Sequence, residues 1–255
     1  VYPVATLERI CADAWPPIVT ERIGEWRLRA AGGYTGRANS ALAVGDPGMP
    51  ITRALRRVRD FCHVHGIPPK VQAVQNSEVE TDLAAAGWSP DRAHTAGTLV
   101  SVQTGPLTHG APTDATVTPA TLRPDPRWWE LAVGSPTPSE AQRRVVTGDR
   151  SALDVAYCTV EAHGRTVGAA RGAVIDDMLY LSNLAVRSTH RGHGLAERVL
   201  DTLGVWARTH GAEGSLLQVA VDNTAANRLY ARRGCTESHR YRYWVPNTTC
   251  EDHTL

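Results

Sequence analysis

Lysine is almost missing from this chain. Among 255 residues Lys70 is the only one, so arginine carries nearly all of the positive charge. A phosphate loop of the Gly-Lys-Ser/Thr kind is therefore excluded. Blocks of like charge are missing too, and the net charge is only +1, which argues against nucleic acid or an anionic membrane as the main partner. No apolar run is long enough to span a bilayer. Val1 to Pro17 has neither a basic start nor a signal-peptide core. The five cysteines (Cys11, Cys62, Cys158, Cys235, Cys250) are odd in number and contain no C-x-x-C pair. That pattern points to free thiols in a reducing cytoplasm rather than a disulfide framework. The ten histidines show no ligand spacing with cysteines or acids, so no metal is expected.

What is present centres on one stretch, Leu179 to Ala196. Its first half alternates and is rich in apolar residues, as a buried strand requires. Its second half packs Arg191, Gly192 and Gly194 into a short loop. Leu195, Val199, Leu203 and Trp206 then recur at helical spacing until Gly211 stops the helix. A strand, a glycine loop and a helix N-terminus in that order make an anion site, because backbone N–H groups are bared at the positive end of the helix dipole. Glycine lets a phosphate approach the backbone, and Arg191 adds a forked cation. A dinucleotide fingerprint fails: Gly192-His193-Gly194-Leu195-Ala196-Glu197 lacks the third glycine of GxGxxG.

Arg191-Gly192-His193-Gly194-Leu195-Ala196 resembles the Q/R-x-x-G-x-G/A signature of the GNAT N-acetyltransferases. Leu184-Ala185-Val186 just before it is similar to that family's "LAV" strand end. Downstream, Asn223, Ala226, Leu229 and Tyr230 match its N-x-x-A-x-x-L-Y, with Gly234 following. The resemblance implies acetyl-coenzyme A as cosubstrate and an acceptor amine that attacks the thioester directly in a ternary complex. It implies that Leu184, Ala185 and Val186 pair with the pantetheine arm, and that Arg191, Gly192, His193, Gly194, Leu195 and Ala196 hold the pyrophosphate. By the same resemblance Asn223 and Ala226 belong to the cofactor site, and Tyr230 is the general acid for the leaving thiolate. Many members of the family carry an acidic residue on the strand before LAV, where this chain has Ser182 and Asn183. Neither takes a proton outright, though either could order a water or bind the amine. Glu161, Asp154 and His163 are alternative bases by neighbourhood alone.

The chain divides by its punctuation. Thr6 to Trp15 reads as a helix ended by Pro16-Pro17, Glu25 to Ala30 as a strand, and Arg37 to Val44 as a returning strand. A helix over 51–65, a strand over 70–74, a helix over 79–86 and a strand over 98–102 follow. This order recurs at a shift of about 145 residues: the helix ending His65-Gly66 corresponds to the one ending His210-Gly211, and Gln72-Ala73-Val74 to Gln218-Val219-Ala220. The expected fold is α/β, an α+β mixed sheet, in two tandem GNAT-like domains of which the N-terminal one is shortened. The boundaries are 1–102 for a degenerate copy, 103–115 for a linker rich in Gly, Pro and Thr, 116–246 for the catalytic domain and 247–255 for a tail. In the degenerate copy Asp46, Pro47 and Met49 stand where the intact loop has Arg191, Gly192 and Gly194. Proline lacks an N–H and aspartate repels phosphate, so a scaffolding or substrate-shaping role is expected.

In the second copy a strand is expected over 116–122, short helices over 127–133 and 140–146, and a meander of strands over 153–162, 166–175 and 178–186 turning at His163-Gly164 and Asp176-Asp177. The strand over 215–221, a helix over 224–233 capped by Asn223, and a strand over 239–244 complete it. Three functions compete: an N-acetyltransferase for a small-molecule or peptide amine, a binding or regulatory module that holds acetyl-coenzyme A without efficient turnover, and a nicotinamide dehydrogenase. The last lacks both the third glycine and the ribose-binding acid about 20 residues on. The tandem arrangement suits a monomer or a weak homodimer.

Overall fold

The computed structural model describes residues 2–93, 97–107, 121–148 and 153–247. In chain order the elements are α1 (Val4–Ala14), β1 (Val19–Ile23), β2 (Trp26–Ala30), β3 (Ala41–Leu42), α2 (Ile51–Val64), β4 (Val71–Val74), α3 (Glu78–Ala85), β5 (Trp88–Pro90) and β6 (Val100–Pro106). There follow α4 (Pro126–Val133), α5 (Glu140–Thr147), β7 (Asp154–Ala162), β8 (Arg165–Ile175), β9 (Met178–Val186), α6 (Leu195–Thr209), β10 (Gly214–Ala220), α7 (Thr224–Arg232) and β11 (Thr236–Pro246). Local chemistry sets many of the ends. Asp125 accepts the Trp128 N–H at 2.7 Å, Pro126 opens α4, and Gly134 closes it in the left-handed region. Ser139 and Gln142 form a reciprocal capping box on α5.

Two compact units are interleaved along the chain. The site-bearing unit takes Val1–Pro16, Val102–Val219 and Asn223–Ser238, and the companion unit takes Pro17–Ser101, Ala220–Asp222 and His239–Leu255. The linear boundaries at 102, 115 and 246 describe the order of the sequence motifs, whereas the units exchange segments. The first helix belongs to the site-bearing unit and the end of the last strand to the companion.

In the site-bearing unit the strands run in the order β6-β10-β9-β8-β7. β7, β8 and β9 form an antiparallel meander, and β9 and β10 are parallel. His163 and Gly164 turn the first hairpin and Asp176 the second, all at positive φ. α6 covers one face, where Val199, Leu200 and Leu203 pack with Ala156, Cys158, Val160 and Leu179. α1, α4 and α5 serve the other face: Tyr157 hydroxyl donates to Val146 O at 2.9 Å, and Trp128 stacks edge-on to Tyr157 at 5.0 Å. Burial on both faces explains the long apolar runs of β7 and β8.

The companion unit orders its strands β1-β2-β3-β4-β11, with β5 on β11. Trp26, Leu28, Leu55, Val58, Val71 and Leu83 are among its core residues. β1 and β5 were not legible as strands. The strand expected over 37–44 shrinks to Ala41–Leu42, preceded by a 3-10 turn at Gly36–Ala38. The cause is Asn39: its Oδ1 accepts from Ala31 and Gly33 N–H at 2.7 and 2.9 Å, and its Nδ2 donates to Tyr34 and Thr35 carbonyls. Those bonds give the loop an alternative to ladder pairing.

The strand expected to stop at Val102 continues to Pro106, so the first residues of the expected linker are strand. Gly105 is needed there, since a Cβ would come within 2.6 Å of Cys235 Sγ. Linker residues 108–115 and residues 116–120 of the next expected strand lie outside the described residues, and Thr121 pairs with Tyr157 as an isolated bridge. Of the expected tail, Asn247 donates its N–H to Gly87 O at 2.9 Å, and 248–255 lie outside the described residues.

Candidate active site

β9 parts from β10 partway along. Their pairing runs from Met178↔Gly214 to Leu181↔Leu217, yet the strands continue to Val186 and Ala220. On its other side β9 carries a bulge. Ala185 faces Ala169 and Ser182 faces Arg171, which leaves Asn183 and Leu184 opposite Ala170 alone. Asn183 adopts φ 52, a conformation asparagine tolerates better than most residues. The Ala170 carbonyl is taken by the indole Nε1 of Trp128 at 2.9 Å. Leu184, Ala185 and Val186 thus lie half-buried on a strand edge turned away from its neighbour, where an extended ligand can add as a strand does.

The chain then enters the glycine loop. Gly192 and Gly194 take φ 80 and 73, and a Cβ built on either meets nothing within 4 Å among the described residues, so the space before the loop is open to them. Gly194 is the N-cap of α6, and the helix geometry leaves the N–H groups of Leu195, Ala196 and Glu197 without intrahelical acceptors. Arg191 Nε donates to Val186 O at 3.2 Å, and His193 Nδ1 lies 2.9 Å from Arg191 O. These contacts hold Arg191 beside the loop. Arg232 pairs with Glu197 at 3.0 Å and Arg233 with Asp201 at 2.7 Å, so both arginines at the end of α7 tie it to α6.

Asn223 caps α7, its Oδ1 accepting from Ala226 N–H at 3.1 Å. Two turns on from Asn223, Tyr230 is 7% exposed and lines a small pocket with Leu179, Leu181, Ser215, Arg233 and Cys235. Burial, reinforced by Cys235 and Tyr180, pushes its phenol well above the usual range, so it stays protonated. Ser182 and Asn183 belong to the opposite side of β9. Ser182 Oγ accepts from Arg171 Nη1 at 3.3 Å. Asn183 Nδ2 donates to Ala132 O, near the end of α4, at 3.3 Å. Tyr230 and the Ser182–Asn183 pair therefore flank the parted strand from its two faces.

The alternative bases fare differently. Glu161 is paired with Arg127 at 2.9 Å, His163 sits in the β7–β8 turn, and Asp154 lies at the far end of the sheet from Val186. Sequence reasoning missed Arg171, a fully buried guanidinium that also donates to Val146 O at 2.7 Å and Ala14 O at 2.9 Å and lies over the Trp15 ring. The signal was there: an arginine in the middle of the apolar run Val167 to Val174.

The corresponding loop of the companion unit is filled by its own side chains. Glu25 Oε2 accepts from Asp46 N–H at 2.8 Å, and Asp46 Oδ1 accepts from Gly48 N–H at 2.7 Å. Two carboxylates thus take N–H groups of the kind that a glycine loop at a helix N-terminus otherwise leaves open to an anion. α2 begins after Pro50 with no side-chain cap.

The chain is an acyltransferase of the GNAT superfamily, with a mixed sheet and two GNAT-like units in tandem. More narrowly, the chain belongs to the family described as "Probable histone acetyltransferase Rv0428c C-terminal", which it matches over residues 3–244. It is 26% identical to the uncharacterized N-acetyltransferase YobR of Bacillus subtilis over 245 residues, covering 94% of this chain and 98% of that one. Among solved structures it resembles a GCN5-related N-acetyltransferase from Kribbella flavida, with TM-score 0.67, 14% identity and coverage of 95% and 96%. It also resembles a tandem GNAT protein from the clavulanic acid biosynthesis pathway, with TM-score 0.62, 17% identity and coverage of 99% and 90%.

Proposed function

We propose that the site-bearing unit transfers an acetyl group from acetyl-coenzyme A to a primary amine of a small molecule or peptide, by direct attack in a ternary complex. The observation that carries this reading is the parting of β9 from β10 immediately before an open glycine loop. In it the backbone of Leu184 and Val186 holds the pantetheine arm, residues 191–196 hold the pyrophosphate and Asn223 offers its Nδ2 to the arm. Tyr230 protonates the departing thiolate, a role suited to a phenol kept neutral by burial. The companion unit serves as scaffold, because Glu25 and Asp46 fill its loop.

The acceptor sets the energetic problem. A lysine-like amine has a pKa of about 10.4, so exposing its free base at pH 7 costs roughly 4.6 kcal/mol. Ser182 and Asn183 place no carboxylate on β9 to share that cost, which favours amines of lower pKa or proton loss through water. The same absence supports a second reading, an acetyl-coenzyme A-binding module with little turnover.

Calorimetric titration with acetyl-coenzyme A tests the core of the proposal. One site per chain is expected. Two sites would overturn the scaffold role of the companion unit, and none would overturn the cofactor assignment. Thiol release with a panel of primary amines separates the two readings, since tight binding with no release above hydrolysis would leave only the binding module.

A further inference from the structure

The companion unit holds a closed counterpart of the parted edge. Ser40-Ala41-Leu42-Ala43-Val44 repeats Ser182-Asn183-Leu184-Ala185-Val186 except at its second residue. In the companion this stretch stays on its neighbour: Leu42 pairs with Gln72 of β4, and the Ala43 N–H donates to Gln72 O at 3.0 Å. Residues 40–44 are all buried, whereas 183–186 are half-buried.

Each unit also buries an arginine on the preceding strand, 11 residues before its serine. Arg29 Nη2 donates to Ser40 Oγ and to Gln72 Oε1, both at 2.8 Å, so it reaches from β2 past the start of β3 to β4. Arg171 Nη1 donates to Ser182 Oγ at 3.3 Å, and its guanidinium also reaches Val146 O and Ala14 O. Those carbonyls lie at the ends of α5 and α1. Two helix C-termini together carry roughly one negative charge, which suits a buried guanidinium. The glutamine is served differently as well. Gln218 is the first residue of β10 beyond the stretch paired with β9, and the sequence repeat matches it to Gln72. Its Oε1 accepts from the Tyr180 hydroxyl at 3.0 Å. Tyr180 stands two residues before Ser182, and the companion has Ala38 two residues before Ser40.

Resting on the acetyl-coenzyme A reading above, we infer that Tyr180 is a positioning residue that keeps the cleft of the site-bearing unit open. Its hydroxyl satisfies Gln218 Oε1 and leaves the Arg171 guanidinium to the ends of α1 and α5. Without that hydroxyl the amide oxygen needs another donor. The Arg29–Gln72 bond of the companion shows which donor a sheet of this kind supplies. Arg171 would then tie β9 to β10, and the edge at 184–186 would pair with β10 instead of with an extended ligand. Tyr180 and Ala38 thus separate an open copy of the cleft from a closed one.

The test uses the full chain and two readouts: hydrogen exchange of the backbone amides in 184–186 that face β10, and calorimetry with acetyl-coenzyme A. Tyr180→Phe keeps the ring in the core and removes only the hydroxyl. It should slow exchange of those amides at least tenfold and weaken acetyl-coenzyme A binding at least tenfold. Gln218→Leu deprives the closed state of its acceptor. Added to Tyr180→Phe, it should return both readouts to within twofold of the parent. A purely structural role for Tyr180 has no such remedy, since a second substitution in the same sheet would add to the first.

Unchanged exchange in Tyr180→Phe, a defect that Gln218→Leu fails to relieve, or a slowed edge that binds acetyl-coenzyme A as the parent does would overturn the assignment. The two readouts separate it from the cofactor reading. A parent that binds no acetyl-coenzyme A, with the exchange pattern as expected, would sink the cofactor reading alone. Parent binding with unchanged exchange in Tyr180→Phe would sink the Tyr180 assignment alone.

Discussion

Tyr230 owes its proposed role to desolvation, which acts with Cys235 and Tyr180 to raise its pKa while Arg233 opposes them. A phenol held above its ordinary value of about 10 is a proton donor throughout the neutral range, so it contributes no alkaline limb to the rate profile below that pH. The Tyr230→Phe variant should keep its affinity for acetyl-coenzyme A and lose about a hundredfold or more in turnover, read from calorimetry and thiol release. Unchanged turnover would remove Tyr230 from the chemistry. Glu80 in the companion unit is the opposite case. Burial works against its charge, but bonds from Arg242, Trp244 Nε1 and Asn76 N–H outweigh that and hold its carboxyl below the ordinary value. A folded-state pKa below the unfolded one gives stability that is complete above about pH 4.3 and is lost as the pH falls through the folded value. Glu80→Gln should therefore cost roughly 2 kcal/mol in urea unfolding at pH 7, and the gap from the parent should close in acid. A gap that stays constant down to pH 3 would contradict this assignment.

At the scale of elements, β9, the glycine loop and α6 were legible because each depends on nearby residues. Alternation marks the strand, positive φ demands glycine at 192 and 194, and apolar spacing marks the helix. The β9 bulge and the parting from β10 were not legible, since pairing is a property of two strands far apart in sequence. The loop prediction belongs here. Gly194→Asp should abolish acetyl-coenzyme A binding, because it places a carboxylate where phosphate would sit. Gly194→Ala adds only the strain of a left-handed backbone, about 1–2 kcal/mol, and should weaken binding by tenfold or so. If the aspartate variant binds as well as the alanine one, the anion lies elsewhere.

At the scale of the whole molecule, the repeat at a shift of about 145 residues was visible in the sequence, but the exchange of segments was not. β11 pairs with β4 from Tyr241↔Val74 to Trp244↔Val71 and with β5 through Trp244, Val245 and Pro246. A fragment of residues 1–102 lacks that strand and the Arg242 and Trp244 partners of Glu80. It should show no cooperative unfolding by circular dichroism. A fragment of residues 103–255 lacks α1, whose Ala14 carbonyl and neighbouring Trp15 hold Arg171, and should be unstable for that reason. Independent two-state unfolding of either fragment would show that the units tolerate the loss of their exchanged segments.

Sequence alone determined what depends on near neighbours: the meander and its turns, the open glycine loop, the cap at Asn223 and the kinship carried by Arg191 to Ala196 and Asn223 to Tyr230. Local backbone preferences and short-range spacing suffice for those. Tertiary structure decided which atoms lack partners and which are already taken. Glu25 reaches the Asp46 N–H across a turn, Trp128 takes the carbonyl that the bulge releases, and the Asn183 oxygen has no partner among the described residues. Each of these is a hydrogen-bond balance settled between elements brought together by folding, and spacing within a single element carries no record of it.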